Sequence, residues 1–286
     1  TYQVMLKMGL DSVWKQDVMV KNWKRGEEEK GRIVSDIYGS TDVPVCALGL
    51  SPGTGEDGLF GQVVEFMDFD ELKKNKDKVR GKIVFFNRHM DHKLIHTFGA
   101  YGGAVNQRSG GPALAVAYGA IACVVRSQSP DLDDYPHTGV TRFNSPDEEI
   151  PAFAISTNAA DVLSKQLEND TELNLYLRST CQTYPDVPSH NVVGEIVGSV
   201  YPEEIITVGG HLDAWDVGGE GAHDDGGGCM QSIEVLRLFL ESGIRPKHTI
   251  RAVMFMDEEV AQRGGLAYAK MAKDRGEKHI AAMESD

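Results

Sequence analysis

The last third of the sequence contains side chains of the types that bind zinc, spaced far apart along the chain. They are His211, Asp224, the pair Glu258 and Glu259, and Asp286. Proteins bind zinc through imidazole nitrogens and carboxylate oxygens, and a catalytic site keeps one position open for water. Two zinc ions about 3.5–4 Å apart can clamp both oxygens of a tetrahedral intermediate. Such a pair needs one shared carboxylate and terminal His and carboxylate ligands, so these residues predict a two-zinc hydrolytic site.

The order of the residues also indicates a role for each side chain. Asp224 lies in a Gly-rich loop and is the candidate bridging ligand. Asp213 comes two residues after His211, where it is better placed to accept a hydrogen bond from the imidazole and fix its tautomer than to bind metal. Neighbouring residues that leave a strand point in opposite directions. We therefore assign Glu259 to the metal and Glu258 to the substrate side, as the general base.

These residues follow predicted strands of one α/β sheet. Apolar runs predict strands at 191–196, 204–208, 249–256 and 280–283, with helices at about 228–243 and 266–276 between them. Ligands of an open parallel sheet collect outside the carboxyl ends of its strands, so we expect the candidate residues to share one crevice. Each candidate ligand, taken alone, is more simply explained as a packing or surface residue. Their shared position at one edge of the sheet is what favours a metal site. His223 is interpreted as a non-ligand.

The rest of the sequence predicts a second, β-rich module. Short apolar strands are predicted at 62–66, 82–86, 120–125, 150–155 and 173–177, and helices at 111–118 and 159–168. The predicted organisation is residues 1–43 as the edge of a domain, 44–180 as the β-rich module, and 181–286 as the zinc-binding part. The predicted fold class is α/β, a mostly parallel mixed sheet flanked by helices, with a β-rich insertion.

Composition excludes some partners. The formal net charge of −14 argues against nucleic acid, because nucleic-acid binders need a basic surface. No run of 18 apolar residues occurs, so we expect no membrane span. The four cysteines have no paired spacing, which predicts neither a structural zinc site nor a defined disulfide.

The candidate residues lie in four motifs whose order resembles the co-catalytic zinc exopeptidases, a family that includes bacterial leucyl aminopeptidases and glutamate carboxypeptidases. The motifs are GGHLDAWDVG at 209–218, GAHDDGGG at 221–228, DEE at 257–259 and MESD at 283–286. The resemblance implies two Zn²⁺ ions, with Asp224 as the bridge, Glu259 as a ligand and Glu258 as the base. His211 and Asp286 would be terminal ligands, on one zinc or on different ones.

The inserted module resembles a protease-associated domain at VRGKIVFF (79–86), GAIACVV (119–125) and IPAFAI (150–155). The resemblance implies that residues 1–43 are the N-terminal part of a peptidase domain into which residues 44–180 are inserted. For the whole chain it implies a homodimer that hydrolyses dipeptides and short peptides. It also implies a protein that is secreted or resides in the lysosome, the ER–Golgi lumen or the periplasm, with the module shaping substrate access.

The sequence departs from this family in one respect. The family has a further His ligand, and no His follows Asp286 here. We therefore expect the sequence to be a fragment of a longer protein, and this part alone to hold only one zinc well.

Two short glycine-rich motifs in the sequence are typical of other classes of enzyme. Residues 49–53 spell GxSxG, but Pro52 removes the N–H that an oxyanion hole requires. Residues 53–58 spell GxGxxG, but Glu56 and Asp57 would repel a pyrophosphate. A peptidase-like binding or receptor domain without activity is the alternative of another class. If the protein is a peptidase, it could act as an aminopeptidase or as a carboxypeptidase, and the sequence does not decide between the two.

Overall fold

The computed structural model describes residues 1–217 and 219–286, which form two compact units. Unit 1 comprises Thr1–Asn22 and Pro185–Asp286, and unit 2 comprises Trp23–Tyr184. The first boundary lies 21 residues before the predicted one at 43/44. The reason is that residues 30–43 form two strands that pair within the sheet of unit 2. The many charged residues at 24–30 give no sign of this pairing. The division into a peptidase domain and an insertion stays a prediction.

The helices and strands alternate along much of the chain. The helices are α1 (Tyr2–Lys7), α2 (Phe69–Lys74), α3 (Thr97–Ala104), α4 (Asn106–Ser109), α5 (Gly111–Ala117), α6 (Thr157–Leu167), α7 (Gly227–Ser242), α8 (Glu258–Ala261) and α9 (Arg263–Asp274). The strands are β1 (Ser12–Lys24), β2 (Lys30–Ser35), β3 (Gly39–Val43), β4 (Val45–Ala47), β5 (Leu59–Phe66), β6 (Ile83–Phe86), β7 (Ala122–Arg126), β8 (Ala152–Ile155), β9 (Asn174–Arg178), β10 (Gln182–Ile196), β11 (Tyr201–His211), β12 (His248–Phe255) and β13 (Lys278–Glu284). In the described part of the chain, none of these helices has the length and apolar character needed to cross a bilayer.

The sheet of unit 1 confirms the predicted fold class. Its strand order is β1-β10-β12-β11-β13. Strand β11 runs parallel to both of its neighbours, β12 and β13, whereas β10 is antiparallel to β12. The predicted buried strand at 249–256 is β12, in which Thr249–Met254 are all buried. The sheet is therefore mixed, with a parallel part that holds the residues of chemical interest.

Helix α7 packs against the sheet of unit 1 through an apolar stripe that includes Ile233 and Leu236. Ile233 and Leu236 are buried in the core, with 4% and 0% of their surface exposed. Met230, which shares their helical spacing, is 59% exposed. Gly243 ends the helix in the left-handed conformation at φ +66°, where a residue without Cβ is favoured. The apolar stripe is therefore centred on Ile233 and Leu236 and does not extend to Met230.

Unit 2 is built on an eight-stranded sheet in the order β3-β2-β9-β5-β6-β7-β8-β4, parallel from β5 to β8. The side chains of strand β6 alternate between two buried clusters. Ile83 and Phe85 belong to one cluster, and Val84 and Phe86 belong to the other. The predicted helices are α5 and α6. The prediction missed α2, α3 and α4. Glycines at three of the eight positions of α3 hide its helical pattern from the sequence.

All four cysteines are buried, and each is present as a thiol. The structure therefore contains no disulfide within its described residues, in line with their unpaired spacing in the sequence.

Candidate metal centre

The strand register brings His211 and Asp286 to the same edge of the sheet in unit 1. His211 is the last residue of β11, which lies between β12 and β13. In β13, Glu284 pairs with Gly209, and the N–H of Ser285 donates to the Gly209 carbonyl at 3.0 Å. Asp286 lies two residues beyond that pair, as His211 lies two residues beyond Gly209. The two side chains are therefore level with each other, although 75 residues separate them.

Three of the four predicted ligands meet in one group. The ligand atoms of His211, Asp224 and Asp286 all lie within 4.8 Å of one another. His211 Nε2 is 2.9 Å from Asp224 Oδ1 and 3.8 Å from Asp286 Oδ1. The His211 side chain is 1% exposed, whereas those of Asp224 and Asp286 are 67% and 57% exposed. The group therefore has a fixed imidazole at its base and two carboxylates facing solvent.

The tautomer of His211 suits a metal ligand. Its Nδ1 lies 2.8 Å from the main-chain carbonyl oxygen of Asp213, which can only accept, so Nδ1 carries the proton. Nε2, the atom that faces both carboxylates, is left with its lone pair for a metal. Burial alone would lower the pKa of His211, but the hydrogen bond to Asp213 and the nearby carboxylates raise it overall. One imidazole nitrogen and two carboxylates are donors that zinc accepts, so the group fits this metal.

Asp213 contacts the site differently from the prediction. The hydrogen bond to the imidazole comes from its main-chain carbonyl, not from its carboxylate. The carboxylate instead accepts the N–H groups of Glu258 at 3.0 Å and Glu259 at 3.3 Å. These are the first two residues of α8, whose N–H groups have no partner within the helix. The loop after β11 therefore anchors the acidic pair as well as the imidazole.

Glu258 and Glu259 each receive one side-chain hydrogen bond. Trp215 Nε1 donates to Glu259 Oε2 at 2.8 Å, and Gln262 Nε2 donates to Glu258 Oε1 at 3.1 Å. Burial and then the charge of Asp224 raise the pKa of Glu259 to about 7. Glu259 does not join the ligand group in the described residues.

Asp225 supports the site by accepting main-chain N–H groups, a role that the sequence motifs do not predict. Its side chain is buried, with Oδ2 accepting the N–H of His211 at 2.9 Å and Oδ1 accepting the N–H of Gly228 at 2.8 Å. A Cβ at Gly228 would lie 1.9 Å from the carbonyl oxygen of Ser285, so only glycine fits there. The second bond spans three residues at the start of α7, which is the pattern of a helix-capping aspartate. An aspartate just before a Gly-rich helix start was therefore the available signal.

Gly218 and His223 belong to two of the sequence motifs. Gly218 lies outside the described residues. His223 is not part of the ligand group found within residues 1–217 and 219–286.

Comparison with known proteins gives relatives over the whole chain. Residues 191–286 match the model of peptidase family M28. Carboxypeptidase Q of Homo sapiens is 35% identical over 285 residues, which cover 100% of this chain and 58% of that protein. A structure of a peptidase M28 precursor from Shewanella amazonensis has a TM-score of 0.88 and 33% identity, covering 100% of this chain and 63% of that one. The chain thus spans less than two thirds of these relatives.

The fold is also similar to that of a zinc aminopeptidase from Bacillus subtilis. The TM-score is 0.63 at 21% identity, and the match covers 94% of this chain and 57% of the other. At this identity the likeness concerns the fold alone.

Proposed function

Since this chain belongs to peptidase family M28 through residues 191–286, we propose that it forms part of a di-zinc metallo-exopeptidase that hydrolyses dipeptides and other short peptides. The observation that carries the proposal is the convergence of His211, Asp224 and Asp286 at one sheet edge. The name of the relative carboxypeptidase Q supports a peptide substrate.

Four side chains of this chain would hold zinc. His211 and Asp286 would be terminal ligands, Asp224 the bridging ligand, and Glu259 a further ligand. The exposed carboxylates of Asp224 and Asp286 leave room for a second ion and for substrate.

In the proposed mechanism, Glu258 moves the protons. Zinc, when bound, lowers the pKa of a coordinated water and polarises the scissile carbonyl. Glu258 takes the proton from the attacking water and delivers it to the leaving amine. The hydrogen bond from Gln262 to Oε1 holds the Glu258 side chain, while Asp213 fixes the start of α8.

The remaining features of the proposal concern the whole protein. Unit 2 would be a protease-associated domain, on the motifs at 79–86, 119–125 and 150–155. The protein would be a homodimer that is secreted or resides in the lysosome, the ER–Golgi lumen or the periplasm.

The test is metal content and hydrolysis of an unmodified dipeptide, measured on this chain and on any longer natural form of the protein. We expect zinc in the purified protein and hydrolysis that a chelator abolishes and Zn²⁺ restores. Bound zinc without hydrolysis in any form of the protein would favour the binding-domain alternative, and absence of zinc would contradict the site. Dipeptides blocked at either terminus distinguish the polarities, since an aminopeptidase requires the free amine and a carboxypeptidase the free carboxylate.

A further inference from the structure

Trp215 makes the side-chain hydrogen bond to Glu259. Its indole Nε1 lies 2.8 Å from Glu259 Oε2, and both residues are half-buried. From this contact we propose that Trp215 is a positioning residue of the metal centre, which holds one oxygen of Glu259 and leaves the other for zinc. The proposal rests on the zinc site proposed above and adds a residue to it.

The hydrogen bond from Trp215 fixes the side chain of Glu259, and Asp213 already holds the main chain of the same residue. The N–H of Glu259 donates to Asp213 Oδ2 at 3.3 Å, and its carboxylate accepts from Trp215 at 2.8 Å. Both partners come from the short loop after β11, which begins one residue beyond His211. Glu259 is therefore clamped at both ends by the loop that also sets the tautomer of the candidate ligand His211.

An indole is chemically suited to hold a metal ligand. Its N–H is a donor only, without a lone pair that could bind zinc in place of the carboxylate. It is also uncharged, so it leaves the negative charge of Glu259 available to the ion. An Arg or Lys at this position would neutralise that charge and repel the cation.

The alternative is that Trp215 only fills space. Partners that hold a metal ligand by a hydrogen bond typically account for about 10- to 100-fold in metal affinity. A packing role would depend on the aromatic ring and would not depend on the N–H. The two roles therefore separate in a variant that keeps a ring and loses the donor.

The experiment is a titration of the metal-free chain with Zn²⁺ against a competing chelator. We expect Trp215→Phe to weaken zinc binding about 10- to 100-fold. The matched control is Trp14→Phe, because the buried Trp14 Nε1 has no hydrogen-bond partner among the described residues, and we expect zinc affinity to stay within about twofold. Circular dichroism on each variant checks that it is folded.

A double-mutant cycle tests whether Trp215 acts through Glu259. We expect Trp215→Phe to have no further effect on zinc affinity in a Glu259→Ala background, because the acceptor is already gone. An equal loss in both backgrounds, or unchanged affinity in Trp215→Phe itself, would overturn the proposal while leaving the zinc site intact. A wild-type chain that binds no zinc would overturn the zinc site and this inference together.

Discussion

The buried carboxylate of Asp225 accepts the main-chain N–H of His211 at 2.9 Å, so the turn before α7 holds the end of β11 in place. Its neighbour Asp224 faces the imidazole of the same residue at 2.9 Å. Two consecutive aspartates thus contact one histidine, Asp225 at its main chain and Asp224 at its side chain. Their substitution should have different consequences.

Asp225→Ala should destabilise the fold. It leaves two buried N–H groups without their charged acceptor, and each such bond contributes about 1.5–3 kcal/mol. We expect the free energy of unfolding, from urea denaturation in the presence of a chelator, to fall by about 3 kcal/mol or more. Asp224→Ala is the matched comparison, because its side chain is 67% exposed. It should change the unfolding free energy little and weaken zinc binding, and equal destabilisation by the two variants would contradict this division.

Gly228→Ala and Gly227→Ala form a second contrasting pair. A Cβ at Gly228 would meet the Ser285 carbonyl oxygen at 1.9 Å, whereas one at Gly227 would meet its nearest neighbour at 3.5 Å. Gly227 also has helical angles, φ −63° and ψ −51°. We expect Gly227→Ala to be neutral or to stabilise by up to about 1 kcal/mol. Gly228→Ala should lower the melting temperature and abolish zinc binding, and a Gly228→Ala chain that melts like wild type would show that β13 can shift.

Glu258→Gln should separate catalysis from metal binding. The amide cannot accept the proton, so turnover of a dipeptide in the active protein should fall by about 100-fold or more. Zinc content, measured by atomic absorption, should be unchanged because Glu258 is not a proposed ligand. Glu234→Gln on the exposed face of α7 is the control and should retain full activity. A fall of less than tenfold in Glu258→Gln would rule out Glu258 as the base.

Glu277 should make unit 1 sensitive to acid. Burial alone would raise the pKa of Glu277, but the hydrogen bond and charge of Arg251, 2.7 Å away, hold it below its ordinary value. A carboxyl with a lowered folded pKa contributes stability that is complete above the unfolded value near 4.5 and is lost as pH falls through the folded pKa.

The measurement is the urea midpoint of unfolding between pH 7 and pH 3. Glu277→Gln should lower the midpoint at pH 7 and flatten its decline below about pH 4.5. Glu241→Gln, whose side chain is 70% exposed, is the control and should decline as wild type does. A decline of equal steepness in Glu277→Gln would assign the acid sensitivity to other carboxyls.

The positions of the candidate ligands were accessible from sequence for a physical reason. His211 and Asp286 follow apolar strands of a parallel sheet, whose carboxyl ends share an edge whatever the details of packing. The roles of Asp225, Trp215 and Gln262 depend on which atom a side chain reaches, and no periodicity encodes that. Asp213 illustrates the limit: the residue contacting the imidazole was identified, but the carbonyl makes the bond while the carboxylate caps α8.

The boundary of unit 2 shows a similar limit. Strands β2 and β3 pair with each other, and β2 also pairs with β9, which lies about 140 residues later in the chain. Such pairing depends on strands that are distant in sequence. Local sequence patterns therefore predict the boundary at 43/44, where the series of short apolar strands begins.

Unit 1 is assembled from two segments separated by Trp23–Tyr184, and this affects the order of events during synthesis. Met5 of α1 is fully buried, in a cluster whose other members begin at Val192. At translation rates of about 5–20 residues per second, roughly 10–40 s pass between the synthesis of α1 and the synthesis of the residues that cover Met5. The contiguous unit 2 can form as soon as it has emerged, so the nascent segment that contains α1 is the one that chaperones would have to shield.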